Sequence, residues 1–310
     1  MGRTQGSMGQ VSEAKTVVGI DWSGRVDVAG QRRHIVAAVW NQGKVRVESG
    51  RTREEIAEWL IALAAKEPAL VVGFDFCFSF PAWFVRDEHG AKSAPEFWRI
   101  VAAEHGERWL TRETVPGTHD RRFWGKPHKR PAEFSGENLH RMMRATDIDC
   151  KLIAHIPEEE RQMRVKGITP KSVFQIGGSG SVGTASLRGM PTLIRLQEAG
   201  FRIWPFDRPD PQMCAPVVVE MYSRLNTGPV HKSNPEARKA YLSRKKKEDP
   251  AYAAIGRTAM AKALAGEDAF DALVSCMVMA ERRGEFATLP RPRDPLYMLE
   301  GWTWAPEPGA

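Results

Sequence analysis

Three apolar runs in this chain each end on an acid. "VVGID" (17–21) closes on Asp21, "LVVGFD" (70–75) on Asp75, and "VVVE" (217–220) on Glu220. Each has the length and β-branched content of a buried strand. An ionised carboxylate there is costly to desolvate unless something pairs with it. One such acid is ordinary: a turn, an N-cap or an arginine partner explains it. Three at matching strand ends constrain the fold far more. In an open α/β sheet, strand ends that share an edge gather their terminal side chains. Gathered carboxylates repel one another, so a cation should neutralise them. Hard oxygen ligands select Mg²⁺ or Mn²⁺.

A late helix adds to the set. "GEDAFDALVSCMVMAERRG" (266–284) is apolar along one face, carries Arg282 and Arg283 at its C-terminal end, and stops at Gly284. Asp268 and Asp271 are three apart, hence neighbours on that helix. First-turn acids favour the helix dipole, which accounts for Asp268. Asp271 precedes an unbroken apolar run and is less easily explained that way. Asp21, Asp75, Glu220 and Asp271, with Asp268, are the acids that could gather about a cation.

The order of elements points to an α/β fold with a mixed sheet. After the first strand, "HIVAAVWN" (34–41) and "KVRVES" (44–49) flank the short turn "QG" as a hairpin. "TREEIAEWLIALAAKEP" (52–68) reads as a helix with Thr52 as N-cap and apolar residues at helical spacing. The second core strand follows. Helix is expected over 191–200, strand over 201–206 and again over 216–222. Residues 82–145 read as an irregular, partly helical insertion, 1–15 as a disordered lead, and 290–310 as an extended tail. The core domain is expected over 16–289.

These pieces resemble a known group. "VVGIDWSG", "GFDFCFSFP", "VVVEMYSRL" and "DAFDALVSCMVMA" occur in the order found in the domain of unknown function 429 family, predicted nucleases of the ribonuclease H-like superfamily. The resemblance covers most of residues 16–284. The family often has Pro where this chain has Ser223. The resemblance implies a ribonuclease H-like sheet and two-metal hydrolysis of a phosphodiester in nucleic acid. By position, Asp21 would bridge the metals, with Asp75 and Asp271 as further ligands and Glu220 and Asp268 behind them. Glu54 or Glu55 could supply the acid that some members of the fold carry on the first helix. Lys232 and Arg238 could hold phosphate oxygens.

Other features bear on partners. The net charge of +7 is compatible with an anionic partner. "RRFWGKPHKRP" (121–131) interleaves aromatic and basic residues, so Arg121, Arg122, Trp124 and Lys126 are candidates for contact with exposed bases and phosphates. "RKKKED" (244–249) reads as a charged helix face. "IGGSGSVG" places Gly178, Gly180 and Gly183 in a GxGxxG pattern, with Asp207 downstream, as in dinucleotide-binding proteins. Gly189 and Pro191 should interrupt the helix that reading needs, so a phosphate-cradling nest at Gly178 and Gly180 is preferred. An actin-like or sugar-kinase ATPase would need a second copy of the core, and none is visible. A nucleic-acid-binding protein without catalysis is the remaining alternative. His119, His128, His140 and His155 are scattered, and one of them could position a water. The four cysteines form no CxxC and no zinc pattern. With no apolar run near bilayer length and no secretory signal, a cytoplasmic location is expected.

Overall fold

The structure is a computed structural model that describes residues 12–111, 120–125, 129–154, 170–178 and 180–306. Seven strands form one mixed sheet: β1 (Thr16–Asp21), β2 (Val36–Asn41), β3 (Lys44–Glu48), β4 (Leu70–Phe74), β5 (Arg202–Ile203), β6 (Val217–Met221) and β7 (Thr303–Trp304). Their order is β3-β2-β1-β4-β6-β5, with β7 also paired to β6. β2 runs antiparallel to β1 and β3, and every other pair is parallel.

Local chemistry explains the first half. Gln42 and Gly43 join β2 to β3 with φ of 46° and 80°, the two positive values a type I′ hairpin turn requires. Thr52 caps the Arg53–Ala64 helix in a full capping box with Glu55. Asp27 caps a short Val28–His34 helix that the sequence reading did not include.

The sheet is covered on both faces, and the alternation of side chains decides what each face sees. Val18, Ile20, Val72, Phe74 and Val218 face a core shared with Leu187, Leu193 and a large aromatic cluster. Val17, Val71, Val217 and Val219 face the Glu267–Glu281 helix. Gly19 lets that helix approach: a Cβ there would lie 2.8 Å from the Cys276 amide nitrogen and 3.0 Å from the Ala272 carbonyl. Both are backbone atoms and neither can swing aside. Gly19→Ala should therefore lower stability by about 1–3 kcal/mol, read as a drop in the urea midpoint. An unchanged midpoint would mean the helix is free to move off the sheet.

Several expectations need correction. The helix Val182–Glu198 is continuous, with Pro191 inside it. Gly189 does not break it; a Cβ there would meet the Phe76 ring at 2.6 Å, so the glycine serves packing. The strand expected over 201–206 shrinks to Arg202–Ile203. Of the supposed disordered lead, residues 1–11 lie outside the described residues, but 12–15 are docked: the Lys15 amide donates to the Ala69 carbonyl and Ala14 is buried. Of the extended tail expected over 290–310, residues 307–310 lie outside the described residues, and 290–306 supply β7 and the short helix Tyr297–Glu300.

The described residues of the 82–145 segment are helical in part, with helices at Trp83–Glu88 and Ala94–Ile100 among others. It is also core. Phe84, Phe97, Trp109 and Phe123 pack on Phe80 and Phe174.

Candidate metal centre

β1 and β4 are parallel neighbours, with Ile20 opposite Phe74. The next residues, Asp21 and Asp75, therefore leave the sheet side by side, and the Asp75 amide donates to the Ile20 carbonyl at 3.1 Å. By the two-residue alternation, Asp21 follows Val17 and Gly19, and Asp75 follows Val71 and Gly73. Both thus project on the face covered by the late helix. That helix brings Asp271, 1% exposed, to the same place. One oxygen from each of Asp21, Asp75 and Asp271 lies within 4.8 Å of the others.

Electrostatics matches the geometry. Burial, then the charges of Asp271, Asp75 and Asp268, hold the Asp21 carboxyl well above its usual range. Burial and Asp271 push Asp75 up to about 6, against which Lys232 and hydrogen bonds from Ser223 act. Burial also raises Asp271, and Lys232 opposes that shift. Lys232 Nζ is bonded directly to Asp271 Oδ2. The other oxygen, Asp271 Oδ1, is buried and has no hydrogen-bond partner among the described residues.

These residues fit a hard divalent cation. The donors are all carboxylate oxygens, one of them orphaned. Three such oxygens within 4.8 Å of one another are the donor set that Mg²⁺ or Mn²⁺ takes. Asp268 stands beside the cluster, not in it: its Oδ2 is 2.8 Å from His34 Nδ1, and both side chains are partly exposed.

Glu220 is not part of this centre. It lies opposite Phe74 in the register, so it shares a face with Phe74 and Val218 and points away from Asp75. There it meets Arg144. The guanidinium donates to both Glu220 oxygens at 2.7 Å and to both Asp147 oxygens at 2.8 and 3.0 Å. The Phe78 amide and the Thr303 hydroxyl each add a bond to Glu220 at 2.7 Å. Arg144, Asp147 and Glu220 are all buried. Glu220 is therefore the acid for which the ordinary explanation, an arginine partner, holds.

The remaining candidates fall elsewhere. Glu55 is spent on the Thr52 capping box and on Arg32, and Glu54 is exposed. Arg238 is buried and donates to the carbonyls of Lys232 and Leu264, so it is no phosphate ligand. Trp124 is core: it stacks near Phe174 and Phe134 and forms an isolated bridge with Gln175. Arg122 is clamped by Asp120 and Glu88. Arg121 is largely exposed, with Glu133 3.4 Å away. The aromatic–basic stretch is thus not a stacking platform over residues 121–125, because its rings complete the core. Lys126, His119, His128 and His155 lie outside the described residues, and His140 is exposed.

Gly178 and Gly180 take φ of 79° and 75° in the turn before the Val182–Glu198 helix. The run before them makes only the Gln175 bridge and is not a strand of the sheet. Asp207 accepts from Gln197 Nε2 and the Ile203 amide. The strand–loop–helix of a dinucleotide site is therefore not built here. The described residues form a single sheet, not a duplicated core.

The sequence reading missed Ser223, which is buried at the start of the Ser223–Thr227 helix and steadies Asp75. It also missed Arg144. The Ser-for-Pro difference was the one local signal for Ser223; Arg144 offered none. No helix among the described residues is long and apolar enough to cross a membrane. No family model, no curated protein and no solved structure matches this chain.

Proposed function

We propose that the protein is a divalent-cation-dependent phosphodiester hydrolase acting on nucleic acid, on a ribonuclease H-like sheet. The observation that carries this reading is the convergence of Asp21, Asp75 and Asp271 from two strand ends and a helix. Supporting the fold assignment is the strand order β3-β2-β1-β4-β6 with only β2 reversed. The net charge of +7 suits a polyanion. So do Lys239, Arg244, Lys246 and Lys247, exposed on the Pro235–Glu248 helix that follows Lys232.

A bound Mg²⁺ or Mn²⁺ would supply Lewis acidity toward water and a phosphate oxygen. The protein's own part is placement. Asp21 and Asp75 sit on strand ends tied together by the Asp75–Ile20 hydrogen bond, which fixes their separation. Asp271 closes the third side from a helix that Gly19 allows to lie against the sheet. Ser223 favours the ionised forms of Asp75 and Asp271, and Lys232 keeps a positive charge beside the acids.

The test is incubation with single- and double-stranded DNA and RNA in Mn²⁺. Wild type should cut at least one of them, and Asp21→Asn, which removes one ligand oxygen at nearly constant shape, should fall to background. Equal cutting by both would remove Asp21 from the chemistry. A second reading, binding without cleavage, is favoured by the Lys232–Asp271 ion pair, which already neutralises part of the cluster. It predicts salt-dependent binding of nucleic acid with no product in any metal.

A further inference from the structure

The arrangement around Lys232 bears on how many ions the centre takes. Its ammonium is fixed on Asp271 Oδ2 and feels Asp75 and Asp21 as well. The loop carrying it is held from both sides. Arg224 donates to the Val230 carbonyl, and Arg238 donates to the carbonyls of Lys232 and Leu264. Gly228, with φ of 74°, turns the chain out of the Ser223–Thr227 helix into this loop. Arg238 is 4% exposed, so this clamp is part of the packed interior. A lysine merely drifting over an acidic patch would not have two arginines holding its loop.

Among the described residues, three carboxylates are available to the centre. A second divalent ion would lie about 3.5–4 Å from the first and would have to share these carboxylates beside the Lys232 ammonium. Asp268 is bonded to His34, Glu220 is enclosed by Arg144, and Glu55 is bound to Arg32 and Thr52. Among the described residues, the cluster stops at three carboxylates. Lys232 covers one oxygen of Asp271 and leaves Oδ1 without a partner. Three carboxylates and one ammonium leave two negative charges, which one divalent ion neutralises.

We propose that Lys232 is a built-in cation standing in for a second metal, so that the centre binds a single divalent ion through Asp21, Asp75 and Asp271 Oδ1. This rests on the metal-centre reading above and departs from the two-ion arrangement that the resemblance implies. Lys232 stays on Asp271 when the ion binds, and its like charge keeps a second ion out.

The experiment is Mn²⁺ binding to the full chain by equilibrium dialysis, with free Mn²⁺ read from its paramagnetic resonance signal. Wild type should bind one ion per chain. Lys232→Gln removes the like charge and should either admit a second ion or tighten the first by about tenfold or more, the scale of one charge contact at a partly exposed site. Lys232→Arg keeps the charge and should retain one ion at near wild-type affinity. Two ions on wild type would overturn the inference and leave the metal centre standing. So would a Lys232→Gln variant that folds but binds like wild type. No ion on wild type or on either variant would sink the metal centre itself. If Lys232→Gln does not fold, the wild-type stoichiometry together with Lys232→Arg decides.

Discussion

Arg144→Met should cost about 3–5 kcal/mol of folding free energy, because it leaves buried charges without their partner. Total stability for a domain is typically about 5–15 kcal/mol, so much of the margin would go. The reason is specific. Arg144 is 1% exposed and makes paired bonds to both Glu220 and Asp147. A methionine fills similar space but donates nothing. Glu220 would keep its bonds from Phe78 and Thr303 but lose both from the guanidinium. Chemical denaturation at neutral pH measures the loss. Adding Glu220→Gln to the Arg144→Met background should recover part of it, since one of the two orphaned charges is then gone. A double variant no better than the single one would mean that packing, not charge, is the main loss.

The second large effect has opposite signs with and without metal. Asp21→Asn removes one of several crowded carboxylates, so the metal-free variant should melt above wild type. In saturating Mn²⁺ the order should reverse. An ion present at about 100 times its dissociation constant adds about 2.7 kcal/mol to wild type, and the variant should forgo most of it. Melting curves of both proteins across a Mn²⁺ titration therefore cross. Curves that run parallel would show that Asp21 neither repels its neighbours nor holds the ion.

pH supplies a companion result from the same groups. Burial and the Asp271 charge push Asp75 up to about 6 in the folded protein, from a usual value of 3.8. Between those values the folded form holds more protons than the unfolded one, so metal-free stability falls as pH rises through that window. Asp21 shifts in the same direction. Mn²⁺ needs the deprotonated acids, so its stabilising effect should be weak at pH 5 and full by pH 7.5. Metal-free stability that instead rises between pH 4 and 6 would contradict the crowding of these acids.

The sequence was most legible where local rules act alone. The β2–β3 turn, the Thr52 cap and the three core strands follow from residue type and period, and the structure contains all of them. Two of the three strand-end acids meet as expected. The third shows where such reasoning ends. All three runs end on an acid, but whether an acid faces one side of the sheet or the other depends on register, and a shift of one residue reverses it. Glu220 stands level with Phe74, not Asp75. Its partner Arg144 lies 76 positions away in an irregular segment, where no period marks it. The same blindness affected Phe123 and Trp124. Aromatic residues among arginines resemble a nucleic-acid platform in sequence, and only the tertiary packing makes them core.

The closing strand has a consequence for how the protein is made. Glu300 accepts from the amides of Ala82 and Ala145, and Thr303 bonds Glu220 while β7 extends the sheet beside β6. Glu300 lies 218 and 155 positions after its two partners, and Thr303 lies 83 after Glu220. A ribosome that has released everything through Met221 has delivered the central strands and all three members of the Arg144 network, but not the residues that seal it. Assembly of the sheet edge must wait for them. During synthesis the emerging chain exposes the Glu220–Met221 edge of β6, an open seam of the kind that invites wrong pairing.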